Sequence, residues 1–286
     1  MTLHEQGIAA MNIQRIAAFT ENSAGGNPAG VVLCEALPDN KTMQEIAAGV
    51  GYSETVFAAL DGDHWETRYF SPESEVPFCG HATIALGSVL AKQKGEGQYR
   101  LSLSNGEIDL DARLVNGAGH VALRSPPTRN APVSSALVDE ALALFGYTRE
   151  DMDERLPPIR MNAGNDHLFI ALKSRELLRA MHYDLDEGRS FMLRHGFVTV
   201  AFVWRESDAL FHARNAFASG GVIEDPATGA AAAALVGMLR DRGFLTSGEL
   251  TILQGFDMGR PSRILVRYAE PVGSSVSVIG ASTEII

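Results

Sequence analysis

The chain has 286 residues, 45% apolar and 21% charged, with a net charge of -11. That length and mix suit a globular protein of two domains with substantial cores. Acidic residues spread along the sequence exclude nucleic acid as a partner, since phosphate backbones need a concentrated basic surface, but leave room for a small anion in a locally positive pocket.

Met1–Ala10 is polar and unpatterned and reads as an extension, with the fold starting near Met11. No basic-then-apolar leader opens the chain, and no apolar run is long enough for a membrane span. A first strand is expected over Asn12–Ala18, then a Gly/Asn/Pro turn at Ser23–Pro28 and the strand Ala29–Cys34. Thr42–Gly49 has helical spacing, with Asp39 or Asn40 as its cap. Thr55–Leu60 and Glu66–Phe70 read as strands around the turn Asp61-Gly62-Asp63. The small-residue turn Cys79-Gly80-His81-Ala82-Thr83 opens the helical pattern Ile84–Lys94, and three strand-like runs follow, Tyr99–Leu103, Glu107–Leu114 and His120–Leu123. Arg124–Arg129, with two prolines, interrupts every periodicity and marks a domain boundary.

The second half repeats this order. Gly164–His167 leads into the strand Leu168–Leu172, helical Glu176–Met181 and Arg189–His195 follow, and then the strands Phe197–Trp204 and Ala209–Asn215. The turn Asp225–Ala230 opens the Ala-rich helix Ala231–Arg242, and Glu249–Leu253, Arg263–Tyr268 and Ser275–Ile279 are late strands. The reading is a duplication: an N-terminal domain over 11–125, with strand 280–286 packing back on it, and a C-terminal domain over 126–279. A duplicated protein is expected to place its site where corresponding loops meet.

Two glycine-bearing turns at helix starts are the residues to watch. Unpaired N–H groups and the helix dipole at such ends favour carboxylates. Glu54, at the mouth of an apolar strand, would be able to give and take a proton near neutrality if buried; its ordinary alternative is a surface glutamate. His81 at a helix start is favoured as the neutral ring, a donor for a carbonyl or carboxylate, or else simply caps its own helix. Asp225 before Pro226 suits an N-cap as well as a ligand contact, with Thr228, Gly229 and Ala230 offering backbone N–H groups. No further His or Cys lies at metal-ligand spacing from His81, so no metal is expected. A two-thiol epimerase would use Cys79 as one thiol, but the Asp225–Gly229 turn holds no cysteine, and Cys34 reads as core. With neither cysteine in a CxxC or disulfide-like framework, the setting is read as cytoplasmic. GxGxxG, GxxxxGK[ST] and GxSxG are all missing.

Six blocks taken in order resemble the phenazine-biosynthesis PhzF-like family, which shares the diaminopimelate epimerase fold. They are Gly26–Val31, Met43 through Ser53–Phe57, Arg68–Pro72, Glu75–Thr83, Glu224–Gly229, and Gln254-Gly255 with Met258–Pro261. The resemblance implies an α/β (α+β) fold of two pseudo-symmetric domains, each a sheet wrapped around a central helix, with a cleft between them. It implies a cofactor-free, usually dimeric isomerase of a small carboxylate-bearing molecule. The family's best-understood member isomerises trans-2,3-dihydro-3-hydroxyanthranilate by moving a proton. Glu54 matches the glutamate that shuttles that proton, and His81 and Asp225 match the residues that position the substrate. Asn27, Gly80, Thr228, Gly229 and Ala230 fall at substrate-binding positions. Ala230 replaces a serine of the phenazine enzyme, which implies a different substrate. The rival reading is a binding protein that kept the fold and lost turnover.

Overall fold

The computed structural model describes residues 12–104, 106–245, 248–269 and 271–285; the expected extension Met1–Ala10 lies outside them. The chain divides into two units, Met1–Arg124 with Ile279–Ile286, and Ser125–Val278.

In the first unit, β1 (Gln14–Ala18) pairs antiparallel with β2 (Asn27–Cys34). Helix α1 (Asn40–Val50) starts where Asp39 Oδ1 accepts from the Thr42 N–H at 2.8 Å, and it ends at Gly51 in the left-handed region. It crosses over to β3 (Thr55–Asp61), which lies parallel to β2 and turns back into β4 (His64–Phe70). The short strand β5 (Glu75–Val76) leads to α2 (Gly80–Lys94), after which β6 (Gly97–Leu103) returns parallel to β4. Strands β7 (Gly106–Val115) and β8 (Ala118–Arg124) continue as an antiparallel meander. The last strand of the chain, β17 (Ser277–Glu284), pairs with both β1 and β8. The ring β1-β2-β3-β4-β6-β7-β8-β17 therefore closes into a barrel with no open edge.

Helix α2 fills that barrel. Every residue from His81 to Ala91 is buried, which explains why its sequence is apolar throughout instead of striped. At Gly87 an added Cβ would come within 2.7 Å of Val121 Cγ1, so the missing side chain lets the helix lie directly on β8. The helix also begins earlier than its periodicity predicts, because the turn Gly80–Thr83 is itself helical.

The second unit repeats this topology. Strands β9 (Arg129–Pro132), β10 (Ile159–Asn162) and β11 (Asp166–Ala171) run antiparallel in that order. Between β9 and β10 lies α3 (Ser135–Leu144), capped by Ser134. Helices α4 (Arg175–Arg179) and α5 (Leu185–His195) make the crossover to β12 (Thr199–Arg205), parallel to β11. Then come the antiparallel partner β13 (Leu210–Ala216), the short β14 (Glu224–Asp225) and the central helix α6 (Gly229–Asp241). Strand β15 (Gly248–Gln254) lies parallel to β13, and β16 (Ser262–Tyr268) is antiparallel to β15. Residues Ala231 to Arg240 are buried without a break. A second core, with Phe145, Phe191 and Phe202, forms where α3, α4 and α5 cover the outer face of β11 and β12.

Five of these elements were not expected: β5, β9, α3, β10 and β14. The expected strands Ser275–Ile279 and 280–286 are a single strand over Ser277–Glu284. Among the described residues no helix is long and apolar enough to cross a membrane.

Candidate active site

Glu54 immediately precedes β3, and its carbonyl oxygen accepts from the Gly30 N–H at 3.2 Å, which ties the residue to β2. His81 is the second residue of α2. The parallel β2–β3 pairing and the seating of α2 in the barrel bring the two together, with Glu54 Oε2 3.3 Å from His81 Nε2. Glu54 is thus not the lone carboxylate that its sequence context suggests. The imidazole is 9% exposed and the carboxylate 16%, so both are largely withdrawn from solvent.

Two further side chains meet the ring. Ser53 Oγ lies 3.4 Å from Nε2, and Cys79 Sγ lies 3.3 Å from Nδ1. A ring carrying a single proton on Nε2 would donate toward the carboxylate and leave Nδ1 to accept from the thiol. Glu54, Cys79 and His81 place their ligand atoms within 4.8 Å of one another. The fold therefore assembles a mixed O, S and N set that local spacing did not reveal. The sulfur lies 3.3 Å from Nδ1 and 3.9 Å from Nε2, and the carboxylate 3.3 Å from Nε2, so Nε2 is within reach of both.

The turn itself is held from below. Tyr69 Oη lies 2.7 Å from Thr83 Oγ1, and the Thr83 hydroxyl donates to the Cys79 carbonyl oxygen at 2.7 Å. Thr83 has a single proton, so Tyr69 must be the donor to it. Burial pushes the Tyr69 hydroxyl pKa far up and keeps that proton in place. Gly80, at the first position of α2, has open space where a Cβ would project. Asn27 begins β2 and is buried.

In the second unit, Asp225 does not cap α6, which removes the ordinary alternative to a ligand contact. It lies in β14 opposite Asn215 of β13, and Thr228 occupies the cap position. The Thr228 hydroxyl, instead of capping its own helix, donates to Asp225 Oδ2 at 2.6 Å. Gly229 and Ala230 form the first turn of α6 and are half-buried. Gln254, at the end of β15, binds the same turn through three hydrogen bonds. Sequence reasoning missed Gln254, Tyr69, Thr83 and Ser53 as site residues and set Cys79 aside. All four fall inside the motif blocks, where they were given no role.

Two units built on buried central helices, each with a polar turn at its helix start, share the fold of PhzF-family and epimerase-like proteins. Residues 16–286 match the PhzC-PhzF family, phenazine biosynthesis-like protein, and the chain belongs to it. An uncharacterized isomerase of Deinococcus radiodurans is 33% identical over 274 residues, covering 92% of this chain and 88% of its own. The trans-2,3-dihydro-3-hydroxyanthranilate isomerase of Pseudomonas aeruginosa is 30% identical over 276 residues, covering 93% of each chain. Among solved structures, the Bacillus anthracis phenazine biosynthesis protein of the PhzF family superposes with a TM-score of 0.86 at 23% identity, over 96% of this chain and 97% of that one.

Proposed function

We propose that this protein is a cofactor-independent isomerase that relocates a proton on a small carboxylate-bearing molecule by single-carboxylate acid/base catalysis. Glu54 takes the proton and redelivers it; His81 and Asp225 orient the substrate, and the amides of Thr228, Gly229 and Ala230 with Gly80 and Asn27 bind it. The observation that carries this reading is the Glu54–His81 pair, 3.3 Å apart and shielded from bulk water. A sheltered carboxylate beside a neutral donor suits reversible proton transfer, worth about 10²–10⁴-fold in rate for a well-placed group.

A small carboxylate-bearing substrate is in keeping with the relative named trans-2,3-dihydro-3-hydroxyanthranilate isomerase, whose named substrate is itself a carboxylate. Ala230 lacks a hydroxyl, so trans-2,3-dihydro-3-hydroxyanthranilate itself would lose a contact worth about 0.5–1.5 kcal/mol, and a related small acid is the better candidate. The same alanine is what favours the second reading, a binding protein without turnover. The protein works in the cytoplasm as a homodimer; cysteines that form no disulfide are in keeping with a reducing compartment.

Small acids from a metabolite extract, together with trans-2,3-dihydro-3-hydroxyanthranilate, are incubated with the protein in deuterated water, and deuterium incorporation is read by mass spectrometry. The wild type labels its substrate, and Glu54→Gln lowers that rate at least about 10²-fold. Full labelling by Glu54→Gln removes Glu54 as proton carrier. A ligand that raises the melting temperature without acquiring deuterium establishes the binding reading instead.

A further inference from the structure

Gln254 ends β15 and is buried, and no step of the proton transfer uses it. Its side-chain amide has only one chemically allowed orientation. One end lies 3.2 Å from the Thr228 N–H, which can only donate, and the other lies 2.7 Å from the Asp225 carbonyl oxygen, which can only accept. Oε1 therefore faces Thr228 N and Nε2 faces the Asp225 carbonyl. The second Nε2 proton goes to Thr228 Oγ1, 2.9 Å away. Because Nε2 cannot accept, the single hydroxyl proton of Thr228 is directed at its remaining partner, Asp225 Oδ2, at 2.6 Å.

We infer that Gln254 is a positioning residue which, through Thr228, fixes Asp225 Oδ2 as a hydrogen-bond acceptor and so holds the carboxylate toward its charged form. Three bonds from one amide set both the place and the polarity of the carboxylate. Gly255 reinforces the arrangement: its φ is +78°, and an added Cβ would lie 2.7 Å from the Pro226 carbonyl oxygen. The end of β15 therefore closes on the turn with no room for a side chain. Glu224, the neighbouring charge on β14, is paired with Arg214 at 2.6 Å and is untouched by the substitutions below. The value of this polarity to a substrate rests on the isomerase reading; the polarity itself does not.

The full chain labelled with [13Cγ]aspartate is titrated by NMR, and the Asp225 resonance is identified by its loss in Asp225→Asn. Removing the donated hydroxyl in Thr228→Val raises the Asp225 midpoint by about one pH unit, the equivalent of one hydrogen bond to the charged form. Thr228→Ser restores it. Gln254→Glu draws the Thr228 proton away and adds like charge, and it also raises the midpoint. A midpoint left at the wild-type value in both Thr228→Val and Gln254→Glu overturns the inference, as does failure of Thr228→Ser to restore it. A role confined to bracing the turn would lower the melting temperature of these variants without moving the midpoint. Should Gln254→Glu not fold, the Val and Ser pair at Thr228 decides alone. None of these readings depends on turnover, so failure of the isomerase proposal is registered separately by the deuterium experiment.

Discussion

His167 makes the second unit sensitive to acid, and the size of the effect follows from its hydrogen bonds. The ring is buried in β11, with Nδ1 2.7 Å from Thr199 Oγ1. The Thr199 hydroxyl gives its proton to Asn215 Oδ1 at 3.2 Å, so it accepts from His167, and the proton of the neutral ring sits on Nδ1. Among the described residues Nε2 has no partner. Protonation would create a buried N–H with no acceptor among them. Burial accordingly pushes the His167 pKa down from 6.5 to about 4, against a small upward pull from Asp166. Above pH 6.5 the ring is neutral whether the chain is folded or not, and it contributes nothing. As the pH falls from 6.5 to 4, the unfolded chain takes up a proton that the folded one refuses, and stability is lost. The loss is about 2 kcal/mol by pH 5 and levels off near 3 kcal/mol below pH 4. Urea unfolding followed by Trp204 fluorescence in a Trp65→Phe background measures it. Between pH 8 and pH 5, this protein should lose about 2 kcal/mol more than its His167→Gln variant, whose amide does not titrate. Parallel stability curves for the two would refute the assigned tautomer and the burial argument together.

The buried pair Arg214–Glu224 yields a second prediction. Arg214 donates to both Glu224 oxygens and to the carbonyls of Arg179 and Met181, so Glu224→Gln leaves a buried guanidinium without its counter-charge and should cost about 3–5 kcal/mol in urea unfolding. Cys79 contacts the His81 ring and has no proton-carrying task in the single-carboxylate scheme. Cys79→Ala should therefore keep deuterium labelling within about tenfold of wild type, whereas a two-thiol mechanism requires that labelling to vanish.

Much of the architecture could be read from residue order because the duplicated pattern uses strong local cues. Gly51 and Gly196 stop helices in the left-handed region, and Asp39 starts one. Helix α3 was equally legible, with Ser134 as cap and Val138, Ala141 and Leu142 spaced on one buried face; proximity to the proline-rich boundary hid it. Strands β9 and β10 are four residues each and adjoin prolines, too short for alternation to show. The partners in the site were beyond local reading. Glu54 and His81 are 27 residues apart, and only the parallel placement of β3 beside β2, with α2 inside the barrel, makes them neighbours. For Asp225 local sequence left two readings open: Asp-Pro before a helix is a good cap by composition, but β14 pairs its backbone with Asn215 and Thr228 takes the cap position.

The two helix starts meet one requirement with different chemistry. An N-terminal turn exposed to a ligand cannot use all its own side chains for capping, so its shape has to be fixed from the surrounding sheet. In the first unit Tyr69 of β4 donates to Thr83, which donates to the Cys79 carbonyl. In the second, Gln254 of β15 donates to Thr228, which donates to the Asp225 carboxylate. Both chains start on a sheet strand, pass through one threonine hydroxyl and end on the turn. The first ends on a neutral carbonyl and so sets geometry alone; the second ends on an ionisable oxygen and donates a proton to it. The duplicated fold thus supplies the same brace twice, and the difference in its last acceptor separates a turn that presents an imidazole from one that presents a charge.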